Sequence, residues 1–360
     1  MNPDSVVQSA IGGWRFRALL NRAGPGLESL VALTCAFLIS GVVLVIAGHD
    51  PVEALGELVR RTLLRSSGLE EVVVRATPLL IGGLAVLVAA RAGLWNIGID
   101  GQVLVGAISA AVVGSWLDTA GRPVLWSVAI VAGALGGVAW MAVPALLRMR
   151  WGINEIVTTI MFNYLAISLT AWLVKGPFRD ESLVAPQTPM IPRELRFAAL
   201  GDSRIHVGLI LAVVLWLGVA LWLQKSVSGF ELRAVGENAR AARHAMIPVA
   251  AITLGALLAS GALAGVAGGN DVLSTKGTFQ AEWNPEYGLS AFALVFLARR
   301  NAYALLPAAL FLGMLAYGAD VMPRAAGILP SFFSLFEGIL LMTFAVLHWR
   351  PWARLPGKLA

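Results

Sequence analysis

Arg91-Ala92-Gly93-Leu94-Trp95-Asn96-Ile97-Gly98-Ile99-Asp100-Gly101-Gln102 decides how this chain is read. The stretch carries a cation, three polar side chains and three glycines, yet apolar runs flank it at 79–90 and 103–113. Non-helical backbone at membrane depth survives only where protein buries it or where it lines a wet cavity. Transporter binding sites are often built from such broken helices. The stretch therefore reads as a discontinuous helix lining a translocation path, with a tight cytoplasmic turn as the other reading.

Outward from it, the composition is that of a membrane protein. Of 360 residues, 58% are hydrophobic and 13% charged, against roughly 25% charged in soluble domains. Mean hydropathy is +0.77. The net charge of +6 is scattered over short loops, which suits anionic lipid and orientation in the bilayer rather than a nucleic acid polymer. The single cysteine, Cys35, excludes an intrachain disulfide. Nearly thirty residues precede the first apolar run, and no small-residue cleavage site follows it, so no cleavable signal peptide is expected.

Hydropathy predicts an all-α polytopic protein with about ten spans, at 29–48, 72–90, 97–116, 124–147, 153–174, 205–223, 249–268, 287–298, 302–319 and 332–347. The eighth is short, so it is expected to tilt or to start earlier. Residues 49–70 are helix-permissive, with Asp50-Pro51 as a start signal. Arg and Lys cluster in the loops that share a side with both termini, which places the termini in the cytoplasm. Residues 1–28 are then a basic cytoplasmic juxtamembrane arm, 29–348 one transmembrane domain and 349–360 a basic cytoplasmic tail. The loop 176–204 falls outside. Gly261-x-x-x-Gly265 is a small-xxx-small match that lets helices approach closely.

Polar residues inside the spans are the informative class. Glu155, Thr158, Thr159, Phe162 and Asn163 fall at i, i+3, i+4, i+7 and i+8, on one helical face. That face is expected to point at the bundle interior or at water. The other reading has Glu155 snorkelling to the cytoplasmic end and Asn163 in a helix–helix hydrogen bond. Asp100 and Glu337 invite the same two readings. The candidate path residues are Asn96, Asp100, Gln102, Glu155, Thr159, Phe162 and Asn163. Asn238 can cap a short helix near 239–245. Its thin face, Ala241-Ala242, suits a partner's groove, and its basic residues equally suit a lipid surface. The four histidines lie apart and form neither a metal cluster nor a nucleophile–base pair. No G-x-x-x-x-G-K-[ST] stretch is present.

At residues 91–102, at Gly152-Ile-Asn-Glu-Ile-Val-Thr-Thr159 with Asn163-Tyr164, and at 233–243, the chain resembles permease subunits of bacterial ATP-binding-cassette importers. The type is that of the ribose and branched-chain amino acid systems, nearest the branch that handles nucleosides. Residues 261–268 add to the likeness, which covers roughly 30–348. The family usually has Glu where Asp100 stands and Gly where Met246 stands. The resemblance implies a type II importer fold with a cytoplasmic coupling helix. Glu231, Arg233, Gly236, Glu237, Asn238, Ala241, Ala242 and Arg243 would be its contact with a separate ATPase. ATP and Mg would sit on that ATPase and no cofactor or metal on this chain. A second permease, the same or related, and a periplasmic or lipid-anchored binding protein would complete the assembly in the inner membrane. From the residues alone, an ion-coupled secondary transporter of a small polar solute is the rival, because broken helices and buried carboxylates serve ion coupling too.

Overall fold

A computed structural model describes residues 25–117, 119 and 121–348. The expected basic arm before residue 25 and the tail after 348 lie outside the described residues. Thirteen α-helices are present among them: α1 (Pro25–Ile46), α2 (Pro51–Thr62), α3 (Ser66–Arg91), α4 (Ile99–Trp116), α5 (Arg122–Trp151), α6 (Glu155–Lys175), α7 (Gly208–Lys225), α8 (Val227–Glu237), α9 (Ala239–His244), α10 (Val249–Asp271), α11 (Tyr287–Leu297), α12 (Leu305–Ala326) and α13 (Ser331–His348). Eight helices are long and apolar enough to cross a membrane. The two shorter apolar helices, α11 and α13, occupy the eighth and tenth expected spans.

Helix α3 is the axis. Every residue from Ala76 to Ala90 is buried, which a helix apolar on all sides requires. α1 instead exposes Leu38, Val42, Val45 and Ile46, so it lies at the outer surface of the bundle. α2 starts where Asp50 and Pro51 predict. The Asp50 carboxylate accepts from Val52 N–H and Glu53 N–H, and Pro51 stands at the first turn, where no donor is missed. Ala54, Leu58 and Thr62 form its buried stripe. On its other face Arg61 and Arg60 hold the Glu57 carboxyl below its usual range.

Close packing of α4, α5 and α10 depends on glycine. A Cβ on Gly265 would stand 2.1 Å from the Gly133 carbonyl oxygen, and one on Gly137 2.1 Å from that of Gly261. The small-xxx-small match is thus a seam where backbones touch. Gly265→Leu is expected to force the helices apart and cost on the order of 3 kcal/mol or more. Gly255→Leu, with nothing within 4 Å of its Cβ position, is the tolerated control. Yield of monodisperse protein in detergent and its melting temperature measure both.

Three departures from expectation bear on the site. Residues 227–237, between the sixth and seventh expected spans, form a further helix, α8. Ser226 caps it by accepting from Gly229 N–H at 2.9 Å, and Leu232 and Val235 bury one side. α10 runs three residues past its expected end and passes into a π-helical turn, Val272–Lys276. α11 does not start earlier. Its 11 residues reach only about 16 Å, half of a hydrocarbon core of roughly 30 Å. It is a half-helix whose N-terminal end lies inside the bundle. The loop 176–204 is well tied down: Thr188 N–H donates to the Phe279 carbonyl and Phe197 N–H to that of Leu273. Ile191, Phe197, Val272, Leu273 and Phe279 close a second apolar cluster beneath it.

Candidate functional site: a pinned linker, a polar cavity and an external helix pair

The quoted stretch is a break between helices. α3 ends at Arg91, and Gly93, at φ +74°, turns the chain out of the helix. Leu94 N–H then reaches back to the Ala89 carbonyl at 3.0 Å, a glycine-dependent helix stop. Residues 94–98 cross the bundle without helical hydrogen bonds of their own, so neighbours must satisfy their backbone.

Helix α6 supplies those neighbours from the face predicted by spacing. Trp95 N–H donates to Glu155 Oε1 at 3.4 Å, and Ile97 N–H to Thr159 Oγ1 at 3.2 Å. Asn163 donates from Nδ2 to the Ile97 carbonyl and accepts Gly101 N–H at Oδ1, both at 2.8 Å. Asn154 caps α6 by accepting from Ile156 N–H, which sets the register of this face. The other carboxylate oxygen of Glu155 pairs with Arg148. Phe162 packs its ring on Trp140, whose indole N–H donates to the Phe162 carbonyl.

Asn96 closes the knot from within. Its amide exchanges hydrogen bonds with the Gln102 amide, each 2.9 Å, and also donates to Ser260 Oγ and accepts Gly98 N–H. It is 1% exposed, so both polar atoms are fully used where water is absent. Asn96, Asp100, Gln102, Glu155, Thr159 and Asn163 thus all meet on or beside residues 94–101, with Phe162 just outside.

The linker reaches two further elements. Trp95 stacks over Phe292 and Phe296 of α11, at 6.3 and 5.8 Å between ring centroids. Asp100 Oδ1 accepts Gly288 N–H at 2.7 Å. One carboxylate therefore sits at the first turns of both α4 and α11, where two helix dipoles favour a negative charge. At the linker's other end, a Cβ on Gly236 would be 2.1 Å from the Arg91 carbonyl oxygen. The linker thus touches α8 through glycine on both sides, since a Cβ on Gly93 would stand 3.0 Å from the Gly236 carbonyl oxygen.

None of the seven candidate path residues lines the polar cavity of about 580 Å³ bounded by α3, α10, α11, α12 and α13. Its walls carry Arg75, Asp271, Tyr287, Ser290, Asp320 and Glu337. Asp271 accepts from Tyr287 Oη and from Thr275 Oγ1, both at 2.7 Å. Glu337 accepts from Ser290 Oγ at 2.7 Å, and Arg75 pairs with Asp320. Only Glu337 of these is singled out by sequence. Asp271 falls in a stretch that reads as loop, and Ser290 inside an apolar run. A second cavity, of about 840 Å³, lies under the 176–204 loop and shares Glu71, Val74 and Thr275 with the first.

The third region is α8–α9. Asn238 accepts from Arg240 N–H and Ala241 N–H at 3.1 Å, the cap expected there. α9 ends in paired bonds from Met246 N–H to Arg243 O and Ile247 N–H to Ala242 O, with Met246 at φ +61°. That conformation favours glycine. Ala242 is buried within this chain at 4% exposure. The outward surface is Arg240, Ala241, Arg243, His244 and Ala245, with Met246 88% exposed. Glu237 and Asn238 are exposed, and Glu231, Arg233 and Gly236 half-buried.

A multi-pass helical bundle with a polar cavity, a half-helix at its wall and an external helix pair defines a membrane transport protein of the permease class. The chain belongs to the family described as branched-chain amino acid transport system, permease component, whose model matches residues 68–345. It is 32% identical to the glucose ABC transporter permease protein of Haloferax volcanii, over 87% of this chain and 85% of that one. It is 29% identical to the guanosine ABC transporter permease protein of Bacillus subtilis, over 91% and 95%. With the nucleoside ABC transporter permease protein of Lactococcus lactis it shares 26% identity, over 91% and 92%.

Proposed function

We propose that this chain is the permease subunit of an ATP-driven importer of a small polar solute of the nucleoside class, embedded in the inner membrane with both termini cytoplasmic. The cavity between α3 and α13 is the outward-facing part of the path. The 176–204 end receives a binding protein, α8–α9 rests on a separate ATPase that holds ATP and Mg, and a second permease completes the membrane unit. Guanosine and nucleoside permeases among the relatives support the solute class.

One observation carries the reading: a single linker joins the external helix pair to the cavity. At one end it lies against Gly236, two residues before the Asn238 cap. At the other, Asp100 holds Gly288, between Tyr287 and the Ser290 that faces the cavity. Movement of α8–α9 by the ATPase therefore shifts the half-helix and the polar groups it carries. Asn96, Gln102, Glu155, Thr159 and Asn163 keep the linker stiff enough to transmit that shift.

Reconstitution with the ATPase and binding protein tests this. Ala241→Arg, on the outward face of α9, is expected to leave the chain folded and to abolish ligand-stimulated ATP hydrolysis, because a contact built around a small side chain clashes. Ala242→Arg buries a charge inside this chain and should lower stability instead. Full coupling in Ala241→Arg removes α9 from the ATPase contact, and failure of any ATPase to copurify with the parent removes the importer reading.

A further inference from the structure

The cavity's chemistry says which solutes it can pass. Its wall carries five carboxylates, Glu71, Asp271, Glu286, Asp320 and Glu337, against two cations, Arg75 and Lys276. Arg75 pairs with Asp320 through one terminal nitrogen while its Nε is buried without a hydrogen-bond partner, and Lys276 lies over the Trp283 ring at 5.8 Å. A half-helix N-terminus pointing into a transporter cavity ordinarily attracts the anionic group of a substrate. Here the chain's own Asp100 has taken that position. It accepts Gly288 N–H, and a Cβ on Gly288 would stand 2.5 Å from its Oδ2. That carboxylate takes one N–H of the α11 N-terminus and sets a negative charge against the dipole there, which disfavours a ligand's carboxylate or phosphate.

What the cavity does offer is acceptors. Glu337 is 8% exposed, and its only hydrogen bond among the described residues comes from Ser290 to Oε2. An ionised carboxylate accepts at both oxygens and donates nothing, so a ligand meeting it must bring donors. Trp283, Tyr287 and Phe333 add ring surface to the same wall. The volume lies in the range of small-molecule sites.

We propose that this cavity passes neutral, hydroxyl-rich solutes that also present a flat apolar face, as a nucleoside does, with Glu337 accepting from a ligand hydroxyl, and that it turns away solutes bearing a carboxylate or phosphate, α-amino acids included. The proposal rests on the permease reading above and gives its path a charge and a hydrogen-bond polarity. It separates this chain from amino-acid carriage, which the family's description would otherwise suggest.

The complete transporter, reconstituted in proteoliposomes with its ATPase and binding protein, is tested with radiolabelled guanosine, 2′,3′-dideoxyguanosine, leucine and guanosine 5′-monophosphate. ATP-dependent uptake of guanosine is expected, with the dideoxy compound at least about tenfold slower, the size of one hydrogen bond to a charged group. Glu337→Gln is expected to lower guanosine uptake about tenfold and to erase most of that preference. Loaded binding protein should still stimulate its ATP hydrolysis, which shows that the variant is assembled. Should Glu337→Gln fail to assemble, Ser290→Ala carries the same test. It frees Glu337 Oε2 for the ligand without removing the carboxylate, and the preference for guanosine should rise. Unchanged uptake and preference in the assembled variant overturns the role of Glu337. ATP-dependent uptake of leucine or the monophosphate at the guanosine rate overturns the charge selection. If the parent complex takes up none of the four, the permease reading for nucleosides fails first, and the cavity assignment falls with it.

Discussion

Asn96→Leu is expected to be among the most damaging single substitutions in the chain. Asn96 makes four hydrogen bonds at 1% exposure. Leucine matches its size but leaves the Gly98 N–H and Gln102 Oε1 without their partner, and Gln102 Nε2 with only its bond to Met141 Sδ at 3.2 Å. Each buried polar group stranded in this way costs about 1–3 kcal/mol. Ser260 keeps its bond to the Ala85 carbonyl at 2.7 Å and so loses less. A total near 4 kcal/mol follows, a large share of the roughly 5–15 kcal/mol that holds a typical protein folded. The expected result is a lowered melting temperature in detergent and little complex recovered with the ATPase. Ser260→Ala removes one acceptor from the same knot and should cost about 1 kcal/mol. Equal losses for the two would show that the amide pair contributes nothing beyond the serine.

Much of this architecture is legible in the residues, and the parts that are not share a cause. Ten apolar helices stand where hydropathy puts the spans, and eight of them contain an 18-residue apolar run, which has few other fates in water or lipid. The i, i+3, i+4, i+7, i+8 pattern from Glu155 to Asn163 gives the polar face of α6 without a structure. What that face meets is not in the pattern. Its partners lie more than 60 residues away in sequence for Ile97 and Gly101, and water or a linker backbone would select the same side chains. α8 is hidden because Glu231, Arg233 and Glu237 break the apolar run that marks a helix, and only Leu232 and Val235 betray its buried side. Ala242 looks outward in sequence because alanine carries no sign of which side it faces. Asp271 follows a glycine-rich helix that continues through it, and its pairing with Tyr287 depends on a half-helix whose depth no local pattern encodes.

Asp100 is where the linker's stiffness and the cavity's chemistry meet, and two substitutions there should separate them. Asp100→Asn retains an oxygen for Gly288 N–H, now held at 2.7 Å by the carboxylate, but removes the charge from two helix N-termini. Each such charge–dipole contact is worth about 0.3–1 kcal/mol, more where burial is partial. That variant should fold with a modestly lowered melting temperature and keep ATP hydrolysis coupled to uptake. It also vacates the negative charge at the α11 terminus, so any exclusion of anionic solutes by that charge should weaken. Asp100→Leu removes the acceptor as well, leaving Gly288 N–H unpaired and the α11 first turn without its tie to the linker. Trp95 still stacks on Phe292 and Phe296, so the half-helix stays docked while its free end is released. ATP hydrolysis should then continue while uptake falls at least about tenfold, because the moving end of a lid or half-helix no longer follows its driver. The measurement is ATP consumed per solute transported in proteoliposomes, for parent, Asp100→Asn and Asp100→Leu. A ratio that stays constant in all three would assign Asp100 to packing alone and leave the linker without a part in coupling.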